Sequence, residues 1–297
     1  CFESGFFVCC CGGCVVSCGV VCVVMTIPAV IAHGGAGPGP DRQDNLQVAI
    51  NKAAEILTAG GSALDAAVQA CVILENDPVF NAGTGSVMRT DGSVLTDASI
   101  QTGDGKIGFV IAMEETPNPI LVAADLLDEE INGLTSQGAR KWADEKGHMK
   151  KKVVGVSPKG QIGDSEREMT GDTVGVIARD RTGMIVVATS TGGCSFRPPG
   201  RVGDVPLPGS GFWAEEGLAV AATGIGEAIT RALLSNKVYE KIKDKTYSLE
   251  ESMNWGINTL ISPEHSVGLI ALGPSGRGLG VSNTDMPWAT WEQESSQ

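Results

Sequence analysis

Residues 170–175 read TGDTVG, and VIARDRTGMIVVATSTGG follows. Thr173 opens a strand on its face, because Thr and Val suit strands and Gly–Asp suits the turn before one. The same residue can do chemistry. A Thr hydroxyl is a weak nucleophile, but a free α-amine on the same residue can take its proton. That amine titrates at about 7.7–8.0, near the pH where a general base is most effective. Thr173 is internal, so the amine exists only once the Asp172–Thr173 bond is broken. The hydroxyl can attack the preceding carbonyl and give an ester that water hydrolyses. Gly171, beside an exposed segment, tolerates the strained geometry this needs.

Three further stretches suit the same chemistry. Thr189-Ser190-Thr191-Gly192-Gly193 ends the strand that hairpins with the one Thr173 opens, which brings its hydroxyls beside the nucleophile. Gly200-Arg201-Val202-Gly203-Asp204 places one cation and one anion three residues apart. That pair suits a small zwitterion, guanidinium to carboxylate and carboxylate to ammonium. Ala222-Thr223-Gly224-Ile225-Gly226-Glu227 precedes a helix, where a hydroxyl and a bare N–H can hold a developing oxyanion. Each piece alone also reads as a surface ion pair or a glycine-rich helix entry; their joint occurrence after one Asp–Thr junction favours a site.

Other chemistries find less support. The chain has three histidines, His33, His148 and His265, and no G-x-S-x-G elbow for a Ser–His–Asp arrangement. His33 reads as a loop histidine bonded to backbone, and three scattered histidines argue against a catalytic zinc. The glycine run at 34–39 lacks the Lys-Ser/Thr of a phosphate loop.

These residues need a scaffold. An apolar run from Ile27 to Ala32 ends in His33-Gly34-Gly35-Ala36-Gly37. Asp44 or Asn45 caps a helix carrying Leu46, Ala49, Ile50, Ala53, Ile56 and Leu57 at helical spacing, ended by Gly60-Gly61. Ser62 opens a second helix. A hairpin is expected around Asp91-Gly92, joining Val87–Met88 to Val94–Leu95, then a strand over Ile107 to Met113. Helices follow from Asn118-Pro119 and over Ser136 to Lys146. Residues 147–172 read as an exposed linker. Beyond it come strands over 173–179 and 184–190, helices after Gly226 and Ser248, and strands over 266–272 and 277–282. Two halves, each with antiparallel strands and paired helices, fit a helix–sheet–sheet–helix sandwich.

The 297 residues, 42% hydrophobic and 19% charged, suit a globular protein with a well-buried core. The 40 glycines are close to twice the usual share of about 7% and show no short repeat. A formal charge of −13 argues against nucleic acid or an anionic membrane as partner. Residues 1–24 break the pattern: they carry seven of the nine cysteines and no Lys or Arg. Phe6 to Val24 is long enough to span a bilayer, yet a secretory signal would want a basic start. The run reads as an upstream extension or misassigned start, with globular sequence from Met25. Cys71 and Cys194 give no disulfide framework, which fits a reducing, cytoplasmic compartment.

From about Ile27 to Trp288 the chain resembles the plant-type asparaginase / isoaspartyl peptidase family of N-terminal-nucleophile hydrolases, which also includes glycosylasparaginase. The resemblance rests on HGGAG at 33–37, GGSALDA at 60–66, LENDPVFNAGTGSV at 74–87, DASI at 97–100 and NPI at 118–120. It continues through DTVG at 172–175, ATSTGG at 188–193, GRVGD at 200–204, ATGIGE at 222–227 and MPWA at 286–289. It implies an α+β fold, a four-layer αββα sandwich, that cuts itself between Asp172 and Thr173. The α part would span 25–172 and the β part 173–297 of a single domain.

By the resemblance, Thr173 attacks the side-chain amide of an aspartyl substrate and Thr191 supports it. Thr223 and Gly224 form the oxyanion hole. Arg201 holds the substrate carboxylate, Asp204 its amine, Gly226 lines the pocket, and Asn81 orders the site. Leu74, Glu75, Asp77, Phe80, Ala82 and Thr84 are implied sodium ligands, mostly through carbonyls, in a structural role. No catalytic cofactor and no membrane partner are implied; the substrate is an amino acid or dipeptide, and the assembly a homodimer of processed αβ units. Asp172 is the glycosylasparaginase choice, where the asparaginase branch usually has Gly. Glycosyl-asparagine is therefore the alternative substrate, and a tethered, non-enzymatic protein the third reading. The linker is short for either branch, and the cysteine-rich start has no counterpart in the family.

Overall fold

The computed structural model describes residues 26–37, 41–157 and 173–294. The cysteine-rich run 1–24, the second part of the linker and Asp172 lie outside the described residues. Strand β1 (Ala29–His33) leads into helices α1 (Gln43–Thr58) and α2 (Ala63–Asn76). Strands β2 (Thr96–Thr102) and β3 (Ile107–Met113) follow, then α3 (Pro119–Asp125), β4 (Gly133–Thr135) and α4 (Ser136–Glu145). After the linker come β5 (Val174–Arg179), β6 (Ile185–Thr191), β7 (Phe212–Glu215) and β8 (Leu218–Gly224). Helices α5 (Gly226–Ala232), α6 (Leu234–Lys243) and α7 (Leu249–Trp255) precede β9 (Val267–Leu272), β10 (Leu279–Ser282) and β11 (Trp288–Glu292).

The strands form two sheets, β11-β1-β5-β6-β2-β3-β4 and β10-β9-β8-β7. All neighbours run antiparallel except β3 and β4. Among the inner strands β1, β5, β8 and β9 are mainly apolar on both faces, as expected of strands covered on both sides. On β1, Val30 and Ala32 meet Leu46, Ile50, Leu57 and Leu74 of the first two helices. Ala29 and Ile31 point the other way, joining Ile177 and Val187 against Phe212, Ala221 and Ile270 of the second sheet. The far face of that sheet packs Val220 and Leu269 on Val238, Met253 and Ile257. Each of the buried Val, Leu, Ile, Met and Phe side chains among them contributes about 1.5–3 kcal/mol. Buried Arg179 ties the sheets further, donating from Nε to the Ile27 carbonyl at 2.9 Å and from Nη2 to that of Gly276 at 3.1 Å.

The expected strand over Ile107–Met113, the Ser62 cap and the Ser248–Glu251 capping box are present. Several expectations need correction. Helix α1 starts two to three residues early: Arg42 takes the cap position expected for Asp44 or Asn45, and Asp44 sits in the first turn. Asp41 instead accepts from the Gln43 N–H. The turn at Asp91-Gly92 forms, with Gly92 at φ +82°, but its flanks build no strand ladder. Val87 bridges in parallel to Val156 instead, so the first part of the linker is anchored. Strands β2, β4, β7, β8 and β11 go beyond the elements expected from the sequence. β2 is the instructive one: its buried polar residues hid it, because Ser99 bonds the Val205 carbonyl and Gln101 that of Ala214 across the sheets.

Candidate active site

Thr173 immediately precedes β5 and is only 3% exposed. The β5–β6 register pairs Val174 with Ser190, and continued by one residue it sets Thr173 opposite Thr191. The Thr191 hydroxyl accepts the Gly193 N–H at 2.9 Å, closing a tight turn in which Gly193 takes φ +87°. Asn81 clamps this turn: Nδ2 donates to the Gly193 carbonyl at 2.6 Å, and its backbone carbonyl accepts from Gly192 at 2.9 Å. Asn81 Oδ1 accepts from Val87 N–H at 2.9 Å, so the side chain is spent on fixing two loops.

His33 closes the opposite flank. It stands at the end of β1, in register with Gly175, and not in the loop proper. Its Nδ1 accepts from the Gly35 N–H at 3.2 Å, which assigns the ring proton to Nε2. Nε2 lies beside the Thr173 backbone without meeting full hydrogen-bond geometry. Burial holds the imidazole's pKa down to about 3, so it is neutral at working pH. A methyl on Gly175 would sit 2.3 Å from Nε2, which is why glycine is needed there.

Thr223 and Gly224 end β8. The fully buried Thr223 hydroxyl accepts the Ala36 N–H at 3.2 Å, joining the HGGAG loop to the second sheet. Its own hydrogen is thereby available to donate. Gly224 takes φ +127°, and a Cβ there would meet the Ser266 carbonyl at 2.2 Å, so only glycine fits.

Gly226 opens α5 and brings the two charges together. A methyl on it would lie 2.6 Å from Asp204 Oδ1 and 2.9 Å from Arg201 Nη2. Arg201 donates from Nε and Nη2 to the two carboxylate oxygens of Glu227, at 3.1 and 2.8 Å. Asp204 is 4% exposed and its Oδ2 has no hydrogen-bond partner among the described residues. Burial pushes its carboxyl up to about 7, against the pull of the Arg201 charge. A buried carboxylate with an unspent oxygen beside a guanidinium suits an ammonium neighbouring a carboxylate. Sequence reasoning did not assign Glu227 a role, although it closes the ATGIGE motif.

The loop from Leu74 to Thr84 folds under this site. Glu75 is fully buried; Oε1 accepts from the Ser190 hydroxyl at 2.7 Å and from Ile120 N–H at 3.1 Å, and Oε2 accepts from Asn118 at 3.2 Å. Burial raises its carboxyl to about 8. The Asp77 carboxylate is likewise spent, on Val79 N–H and Asn45. Backbone carbonyls crowd the loop: those of Phe80 and Pro78 face Gly85, and those of Glu75 and Pro117 face Gly83. Neither carboxylate side chain is open to ligation, so backbone carbonyls are the oxygens this loop has to offer.

The other histidines stand apart. His148 pairs with Asp125 at 2.9 Å, and His265 lies 4.0 Å from Glu264. Cys71 and Cys194 are buried, free thiols. No helix among the described residues is long and apolar enough to cross a membrane.

Comparison with known proteins agrees with this geometry. A family model described as asparaginase matches residues 26–153 and 129–297. An isoaspartyl peptidase/L-asparaginase from Synechocystis is 34% identical, covering 84% of this chain and 83% of that protein. The human isoaspartyl peptidase/L-asparaginase is 36% identical, covering 88% and 92%. A plant-type L-asparaginase from Pyrobaculum calidifontis is 33% identical, covering 84% and 91%. The second stretch matched by the family model takes in Thr173, β5 and the Arg201–Asp204 segment, and the chain belongs to this asparaginase family.

Proposed function

We propose that the protein is a self-processing threonine amidohydrolase acting on L-asparagine and β-aspartyl (isoaspartyl) dipeptides, built as the four-layer αββα sandwich of N-terminal-nucleophile hydrolases. The observation that carries this is a buried threonine at the head of β5, opposite Thr191, combined with the Arg201–Gly226–Asp204 clamp.

In the processing step the Thr173 hydroxyl attacks the Asp172 carbonyl. The peptide nitrogen leaves as the new α-amine, and water cleaves the ester. In the turnover step that amine takes the hydroxyl proton as Oγ1 attacks the substrate's side-chain carbonyl. The oxyanion is held by the Thr223 hydroxyl and the Gly224 N–H. Ammonia, or the amine of the leaving residue, departs with the proton. Water then releases aspartate from the ester. Arg201 receives the α-carboxylate and Asp204 the α-ammonium, which fixes the substrate's side-chain carbonyl for attack by Oγ1. The Leu74–Thr84 carbonyls are the groups that would hold a structural sodium ion. The site needs no catalytic cofactor, and the proposed enzyme is a cytoplasmic homodimer of αβ units, with 25–172 and 173–297 as the two parts of one domain.

Mass spectrometry of the purified protein tests the first step. Two chains with a new N-terminus at Thr173 are expected, and a single intact chain in both wild type and Thr173→Ala would sink the proposal. Asp172 supports the second reading, glycosyl-asparagine as substrate. Faster release from glycosyl-asparagine than from a β-aspartyl dipeptide would favour it.

A further inference from the structure

The Arg201–Asp204 clamp has a third charged member. Arg201 comes from the loop between β6 and β7, and its guanidinium lies between two glycines. A methyl on Gly203 would stand 2.7 Å from Nη1, and one on Gly226 would stand 2.9 Å from Nη2. Neither glycine offers a side chain to hold it. Among the described residues every hydrogen bond from this guanidinium goes to Glu227, from Nε to Oε1 at 3.1 Å and from Nη2 to Oε2 at 2.8 Å. That fork fills one edge of the guanidinium and leaves the Nη1 edge for a ligand. An arginine side chain has much rotamer freedom to lose, and a partner that fixes it beforehand removes that loss from substrate binding.

Glu227 stands on a fixed platform. It is the second residue of α5, and Ile225, which caps that helix, bonds the Ser266 carbonyl through its N–H at 3.0 Å. The Glu227 carbonyl accepts from Arg231 Nε at 3.1 Å. Gly224, three residues upstream, packs on the same Ser266 carbonyl. The Glu227 carboxylate therefore fastens the Arg201 loop to the stretch that carries the proposed oxyanion donor. Against the burial that favours its neutral acid, the Arg201 pair keeps the Glu227 carboxyl below the usual glutamate range, so it stays ionised. The Arg201 side chain is 12% exposed and that of Glu227 40%, which shields the pair in part from water.

Resting on the activity proposed above, we infer that Glu227 is a positioning residue: it holds the Arg201 guanidinium in register with Gly224, its free edge presented to the substrate α-carboxylate. Glu227 acts through Arg201 and does not touch the reacting atoms. Its charge leaves a second mark. Burial lifts the Asp204 carboxyl to about 7; Arg201 pulls it back, while Glu227 and Asp97 push it up. Removing the Glu227 charge should let Asp204 ionise at lower pH, a change that a purely structural role in α5 would not produce.

The test follows L-asparagine turnover and L-aspartate binding in wild type, Glu227→Ala, Glu227→Gln and Glu227→Asp. In Glu227→Ala the KM for L-asparagine should rise roughly tenfold, with kcat within about twofold and self-cleavage at Thr173 complete. By calorimetry, the pH below which L-aspartate binding weakens should move downward in this variant. Glu227→Gln, nearly the same shape without the charge, should move it in the same direction. Glu227→Asp keeps the charge on a stem one methylene shorter, and should hold the wild-type pH response and recover part of the KM. An unchanged KM in Glu227→Ala overturns the assignment. A lowered KM also does, by showing that Glu227 competes with substrate for Arg201. So does a fall in kcat alone, or a pH response that stays at the wild-type position in both uncharged variants. A wild type that neither cleaves L-asparagine nor binds L-aspartate overturns the activity itself, and the assignment with it.

Discussion

Asn81 reaches across 112 residues of sequence to place its side-chain N–H on the carbonyl of Gly193 at 2.6 Å. One amide side chain thus locks the loop below the site to the turn that carries Thr191, and its Oδ1 pins Val87 in the same act. Removing it should be felt twice. Asn81→Ala leaves the Gly193 carbonyl and the Val87 N–H to find new partners, a loss of about 2–4 kcal/mol at about 1–2 per buried bond. Chemical denaturation should show that drop, and kcat should fall at least roughly tenfold as the turn loosens.

Gly226→Ala isolates the clamp. The added methyl would stand 2.6 Å from Asp204 Oδ1 and 2.9 Å from Arg201 Nη2 and must push them apart. KM for asparagine is expected to rise by roughly one to two orders of magnitude, with self-cleavage at Thr173 unaffected. A variant with normal KM would contradict the placement of substrate on these two residues. The readouts are steady-state kinetics and a denaturing gel.

The pH response follows from Asp204. Its folded pKa is raised to about 7, above the ordinary aspartate value. The folded state therefore holds its proton where the unfolded state has released it, and stability falls as pH rises from about 4 to about 7. Asp97, raised to about 6, and Glu75, raised to about 8, act in the same sense. Asp204→Asn should flatten part of that slope and stabilise the protein at pH 8 by about 1 kcal/mol or more. Ligand binding has the opposite sign: calorimetry should show L-aspartate binding weakening as pH drops below about 7, because the ammonium needs an ionised Asp204.

Glu75 is a buried acid held near neutrality at pH 7. Glu75→Gln keeps the size and most acceptors toward Ser190, Ile120 and Asn118. It should cost no more than about 1 kcal/mol at neutral pH, whereas Glu75→Ala, which opens a cavity and orphans these donors, should cost about 2–5 kcal/mol. Thermal unfolding of both variants at pH 7 provides the comparison; equal losses would assign the glutamate's worth to its charge.

Local signals in the chain were strong where one segment decides its own state. The Ser62 and Ser248 caps and the strand at Ile107–Met113 need only their neighbours in sequence, and each stands where the residues place it. β2 was unreadable because its polar residues are satisfied by β7 and by the Asp204–Val205 stretch, partners more than 100 residues away. β11 is hidden for a related reason: among the described residues it is an edge strand paired with β1, at the other end of the chain.

The same division runs through the site. Residue types and order marked Thr173, the Arg201–Asp204 pair and the stretches 189–193 and 222–227, because each chemical identity can be read from the chain one segment at a time; the family resemblance singled out Thr191, Thr223 and Gly224 within those stretches. The sequence could not show that Gly226 touches both Arg201 and Asp204, that Glu227 occupies two donors of Arg201, or that Asp97 stands opposite Thr191. Those relationships depend on sheet register and on a bulge, which place residues from distant segments within a few ångströms and bury them together. Burial also decides how their charges behave. The sequence determined which groups are present, and the tertiary structure, by removing water from between them, decided which ones act on each other.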